Sequence, residues 1–293
     1  MKVRWRLLSV LMILALVAVA CGDDDATTSS TGPAAASCEL ADLDLVSPGQ
    51  LTVATGEPAF PPWVGTPTGD NFDEPESGVG FESAVVYAVA EEMGFSADQV
   101  VWVRVGFDEA IGVGPKNFDF NLQQYTITAE RDEVVDFSDP YYSNAQALVA
   151  FADNPIANAT TFADLADARF GVQVGTTSLD YIENVIQPST TVSVYDSTVD
   201  AKSALEADQI DGLVVDVATA YYITAVEIPG SVVVATFGAP ADAPDEFGML
   251  FEEGNPLRDC VNVALSALRA DGTLTSLEEQ WLVDAGGAII ISE

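Results

Sequence analysis

The sequence predicts an α/β fold with helices on both faces of its sheets. Three observations carry this. Short apolar runs with strand character recur along the chain, segments with a helical apolar stripe separate several of them, and the order of the two types alternates. Ligands in such folds sit beyond the carboxyl ends of the strands.

In chain order, "LTVAT" (51–55) is expected to be a buried strand. "FESAVVYAVAEEMG" (81–94) places Phe81, Val85, Val89 and Met93 at helical spacing and stops at Gly94. "VVWVRV" (100–105) and "FDFNLQQ" (118–124) are expected strands, followed by "ALVAF" (147–151), "RFGVQV" (169–174) and "TVSVY" (191–195). "DSTVDAKSALEADQ" (196–209) is expected to be helical, and "GLVVD" (212–216) and "SVVVATF" (231–237) are strands. In "PLRDCVNVALSALRADG" (256–272), Leu257, Val261, Ala264, Leu265 and Leu268 form one stripe, and "GTLTSLEEQWL" supplies a last helix.

The chain has 293 residues, 46 acidic and 10 basic, for a formal net charge of −36. A polyanion needs a basic patch, so nucleic acid is excluded as a partner. Histidine is absent, which removes the commonest general base, the commonest zinc ligand and every Ser-His-Asp triad. No metal site and no cofactor are expected. "GVGFES" (78–83) lacks the third glycine of a dinucleotide loop and no strand leads into it.

The first twenty residues are a separate object. "MKVRWR" is a basic n-region, and the fourteen-residue apolar run that follows is too short to span a membrane comfortably. Ala18 and Ala20 before Cys21 resemble a bacterial lipoprotein signal, with Cys21 lipidated; the leucine usual at position 18 is missing, and a plain signal peptide is the alternative. Residues 21–37 are small, polar and acidic, and read as a flexible tether. With Cys21 on lipid, Cys38 and Cys260 make an even pair outside the cytoplasm, expected as a disulfide, with two buried thiols as the alternative.

"YTITAERDEVVDFSDPYY" (125–142) carries the chemistry. Thr126 and Thr128 offer hydroxyls where a strand ends, and Thr128 is placed to cap a short helix. Arg131 adds a planar fork of donors that matches a carboxylate. On this stretch alone Arg131 could equally pair with Asp132, Glu133 or Asp136.

"DFNLQQYTITAERDEVVDFSDPYY" resembles the central signature of the family-3 extracellular solute-binding proteins, which serve amino-acid ABC importers. "GQLTVATGEPAFPPW", "GFESAVVYAVAEEMGF", "FGVQVGTTSLDYIE", "QIDGLVVDVATAYY" and "NPLRDCVNVALSALRADGTLTSLEEQWL" resemble further segments of that family in the same order. The resemblance implies a two-lobed, periplasmic-binding-protein-like (type II) fold with a ligand cleft between the lobes. It places lobe 1 at 38–143 plus 247–293 and lobe 2 at 144–246, with hinge strands near 143–147 and 244–248.

By matching position the resemblance implies roles. Arg131 would clamp a ligand α-carboxylate, helped by Thr126 and by the amide of Thr177. Asp216 and the carbonyl of Gln124 would take the α-ammonium. Phe60 and Phe107 would pack on the ligand side chain, Glu57 matches a site of acids that meet basic side chains, and Gln123 and Gln124 stand where many members have small serines. None of Arg104, Lys116, Arg169, Lys202, Arg258 or Arg269 matches a pocket position, so a neutral or basic amino acid is expected. The implied partners are a free amino acid, the transmembrane subunits of an ABC permease, and the membrane through a lipid anchor on the extracytoplasmic side. Two other readings stay open. One is a cyclohexadienyl-dehydratase-like enzyme on the same fold. The other is a sensory ligand-binding subunit acting through a partner.

Overall fold

The computed structural model describes residues 37–66, 71–238, 244–282 and 289–291. Cys21, with the leader and most of the tether, lies outside them.

Along the chain run β1 (Leu51–Thr55), α1 (Phe81–Glu92), β2 (Val100–Arg104), α2 (Phe107–Ile111), β3 (Phe120–Asn121), β4 (Val135–Phe137), β5 (Tyr142–Ser143) and β6 (Gln146–Phe151). Then come β7 (Phe170–Gln173), α3 (Thr177–Tyr181), β8 (Ser193–Tyr195), α4 (Thr198–Glu206), β9 (Gly212–Asp216), α5 (Val217–Tyr222) and β10 (Ser231–Phe237). The chain closes with β11 (Glu246–Phe247), β12 (Leu250–Glu252), α6 (Leu257–Ala270), α7 (Thr273–Trp281) and β13 (Ile289–Ile291).

These strands build two main sheets, ordered β2-β1-β3-β12-β4 and β13-β10-β6-β9-β7-β8. Each mixes parallel and antiparallel pairs: β1 runs parallel to β2 and β3, while β6 runs antiparallel to β9 and β10. The chain leaves the first sheet after β4 and returns to it at β12. On those two passages β5 and β11 pair antiparallel, Tyr142 with Phe247 and Ser143 with Glu246.

Each sheet has its own apolar packing. In the first, Phe81, Val85 and Val89 of α1 pack with Leu257, Val261, Ala264, Leu265 and Leu268 of α6. Both stripes are those the sequence spacing predicts, with Met93 only partly buried. The five-residue β1 is buried along its whole length, its two threonines included, as expected for a central strand covered on both faces. Cys38 and Cys260 are joined by a disulfide, with Cα atoms 5.4 Å apart. It ties the start of the described chain to α6.

Two elements depart from the sequence reading. The expected strand over 118–124 shortens to Phe120–Asn121, because the chain turns out of the sheet at Gln124, whose φ is +51°. The carboxylate of Asp119 meanwhile takes the N–H groups of Val46 (2.8 Å) and Thr52 (2.6 Å). At the other end, Ile289–Ile291 pairs parallel with β10, so the last described strand lies in the second sheet rather than with 247–282. An apolar run of three isoleucines supplies the partner for the otherwise open edge of β10, and Ile291 is buried there with Phe237.

Candidate ligand cleft

A cavity of about 410 Å³ opens between the two sheets. That size suits a small metabolite. Its walls include all nine residues singled out by the sequence: Glu57, Phe60, Phe107, Gln123, Gln124, Thr126, Arg131, Thr177 and Asp216.

Arg131 begins a single 3-10 turn, Arg131–Glu133, not a longer helix. The Thr128 hydroxyl accepts the Arg131 N–H at 3.2 Å, but the N-cap position of the turn is Glu130, so Thr128 steadies the turn from before it rather than capping a helix as expected. Arg131 is 7% exposed. Its Nη1 donates to the Thr126 carbonyl at 2.7 Å and its Nη2 to the Gly175 carbonyl at 2.9 Å. It lies 5.5 Å from the centroid of the Phe107 ring, which itself stacks on Tyr125 at 4.7 Å. Among the described residues Arg131 forms no ion pair, whereas Arg104, Arg169, Lys202 and Arg258 each pair with a carboxylate. Burial pulls its pKa down, opposed by the nearby Tyr125, Asp180 and Asp245. The neighbours Asp132, Glu133 and Asp136 do not hold it; Asp136 pairs instead with Arg258 at 3.0 Å.

Thr177, the first residue of α3, reaches across the cleft, and its hydroxyl lies 3.2 Å from that of Thr126. As the first helical residue its N–H has no intrahelical acceptor. Asp216 ends β9 and caps α5, taking the Thr219 N–H at 2.8 Å. The helix-cap role and the cleft position therefore coincide in one side chain. Burial, with Asp245 adding repulsion, pushes Asp216 up to about 6.

Three functional candidates escaped the sequence reading. Asp245, on the return passage, is buried and accepts from Thr126 Oγ1, Asn144 Nδ2 and Gln146 Nε2, each at 2.7 Å. Glu82, on the first turn of α1, is 1% exposed and bonds both the N–H and the side-chain amide of Gln124. Lys202 corrects an expectation. It lines the cleft, with Nζ 2.7 Å from both Glu227 oxygens and 4.8 Å from the centroid of Phe60. A second cation therefore lines the cleft, and its charge does not disfavour an acidic ligand side chain. Glu57 is exposed at the rim. Among the described residues no His, Cys, Asp and Glu group is arranged to hold a metal ion.

Residues 55–284 match the family described as bacterial extracellular solute-binding proteins, family 3. The chain belongs to this family. It is 31% identical over 209 residues to the ABC transporter arginine-binding protein 1 of Escherichia coli (strain K12), covering 69% of this chain and 81% of that one. Its fold is similar to that of an ancestral arginine-binding protein bound to glutamine, with a TM-score of 0.65, 29% identity, and coverage of 80% and 97%. It is likewise similar to the ancestral amino-acid-binding protein AncCDT-1, a precursor of cyclohexadienyl dehydratase, with a TM-score of 0.63, 28% identity, and coverage of 80% and 95%. The fold of this family-3 protein is thus the two-lobed α/β periplasmic-binding-protein architecture. The two sheets are its lobes, and the cavity lies in the cleft between them.

Proposed function

We propose that this solute-binding protein captures a free α-amino acid and delivers it to the permease of an ABC importer. The observation that carries the reading is Arg131. In a chain with 46 acids and 10 bases, this arginine is buried in the cleft, and among the described residues its guanidinium hydrogen-bonds only to backbone carbonyls. A ligand carboxylate supplies the charge it lacks.

The rest of the site fits a zwitterion. Thr126 and Thr177 flank Arg131 from opposite lobes, and Asp216 offers the negative pole for the ammonium, with Gln124 lining the same cavity. Phe60 and Phe107 give apolar walls for the side chain. Contacts from both lobes to one ligand favour the closed arrangement, which is the form a permease would recognise. The buried ionisable groups of the cavity match the poles of a ligand rather than a pair arranged for proton transfer, so the reading is binding and not turnover. The relatives are binding proteins, and two of them, the Escherichia coli protein and the ancestral protein, are arginine-binding proteins. The leader and Cys21 support attachment to the outer face of the cell membrane through lipid.

The test is a thermal-shift screen of residues 37–293 against the common amino acids and against prephenate. A specific ligand raises the melting temperature by mass action. A rise with one or a few amino acids and none with prephenate supports the reading; turnover of prephenate overturns it.

A further inference from the structure

We infer that Glu82 is a positioning residue for the ammonium end of the site, holding Gln124 in the one backbone conformation that presents its carbonyl to the cleft. This rests on the amino-acid reading above.

The geometry is specific. Gln124 has φ +51°, a left-handed conformation that a residue with a Cβ adopts at a cost. Glu82, itself buried, bonds that residue twice. Oε1 accepts the backbone N–H of Gln124 at 2.9 Å, and Oε2 accepts its side-chain Nε2 at 2.5 Å. Tyr141 donates its hydroxyl to the same Oε1. The carbonyl of Gln124 takes no hydrogen bond among the described residues, and Gln124 lines the cavity although Glu82 does not. A buried carboxylate thus spends its acceptors fixing a strained residue that lines the cavity and whose own carbonyl is left without a partner among the described residues. An apolar or short residue at 82 would leave Gln124 free to relax toward negative φ and swing that carbonyl away.

The site also has a charge consequence. The titratable groups that act on Glu82 are Tyr141, Tyr125 and Asp216. Burial pushes Glu82 up to about 7, and Asp216 adds to the rise. No cation pairs with either carboxylate among the described residues. A ligand ammonium favours their ionised forms, so binding expels protons wherever they are still partly protonated. Affinity therefore rises with pH through about 6 and about 7 and falls below that window.

The experiment uses two probe pairs on wild type and Glu82→Gln: L-arginine against 5-guanidinopentanoic acid, and L-glutamine against glutaramic acid. The second member of each pair lacks only the α-amino group. In Glu82→Gln, affinity for the bound amino acid should fall about tenfold or more, while affinity for its deaminated analogue changes less than about threefold. The upper part of the pH-dependent rise should disappear. If Glu82→Gln does not fold, Gln124→Ala, which loses one of the two bonds by which Glu82 holds the backbone at positive φ, should show the same selective loss. Equal losses for amino acid and analogue, or an unchanged pH profile, overturn the positioning role while leaving amino-acid capture standing. A wild-type protein that binds no amino acid overturns the reading beneath it.

Discussion

The hydroxyls of Thr126 and Thr177 lie 3.2 Å apart across the cleft, and Thr126 donates onward to Asp245 at 2.7 Å. Since the Thr126 proton goes to Asp245, Thr177 must be the donor to Thr126. One hydrogen-bond chain therefore joins a residue of each lobe to the return passage between them. Asp245 also receives Asn144 and Gln146 from the outward passage and the start of β6.

Asp245→Asn breaks that chain, because an amide nitrogen replaces one of the two accepting oxygens amid three donors. A stability loss of about 1–3 kcal/mol is expected, read by denaturant melting without ligand. Ligand affinity should fall with it, since Thr126 and Thr177 lose their fixed orientation. Wild-type stability in this variant would show that the network is incidental.

The Cys38–Cys260 disulfide closes a loop with a sequence separation of 222. Replacing both cysteines by alanine should cost about 2–4 kcal/mol of stability, mainly by freeing the unfolded chain. Ligand affinity should change little, because the bridge joins the domain's start to α6, outside the cavity walls.

Asp216 makes a pH prediction for the ligand-free protein. Its folded pKa, about 6, lies above its ordinary 3.8, so the folded state holds the proton more tightly than the unfolded state. Its contribution to stability is greatest below about pH 4 and is lost as pH rises through about 6. Asp216→Asn keeps a helix cap and removes the titration. Relative to wild type, the variant should gain on the order of 2–3 kcal/mol between about pH 4 and pH 8. A difference that does not vary with pH would place Asp216 outside the buried environment described.

Lys202 makes a prediction about specificity. Its ammonium lies over Phe60 and neutralises Glu227, so a cationic ligand side chain reaching that ring meets a like charge. In Lys202→Met, affinity for L-arginine relative to L-glutamine should rise about tenfold, measured by competition calorimetry. An unchanged ratio would mean that the ligand side chain does not approach this end of the cavity.

What the sequence made legible follows from what is local. The stripes of α1 and α6 are spaced along a single helix, so periodicity alone reveals them. Arg131 stands out because cations are scarce, and its motif lies within one stretch of chain. Lys202 carried no such signal: on α4 it reads as an ordinary surface lysine, and only the fold brings it to Phe60. Asp245 is one acid among 46 and gives no local pattern. Glu82 offered a hint that went unused, as an acid between the buried Phe81 and Ser83 at a helix start. The turn at Gln124 was hidden because glutamine carries none of the usual marks of positive φ, which here is imposed by Glu82 rather than by local preference.

Arg131, buried in the cleft without an ion-pair partner among the described residues, is set to receive a carboxylate from outside the protein. Isothermal titration of an L-amino acid identified by the thermal-shift screen into wild type and Arg131→Ala tests it most directly. Wild type should bind near micromolar, about −8 kcal/mol, and the variant should lose about 2–5 kcal/mol. Equal affinity in the two proteins, with both folded, would contradict it.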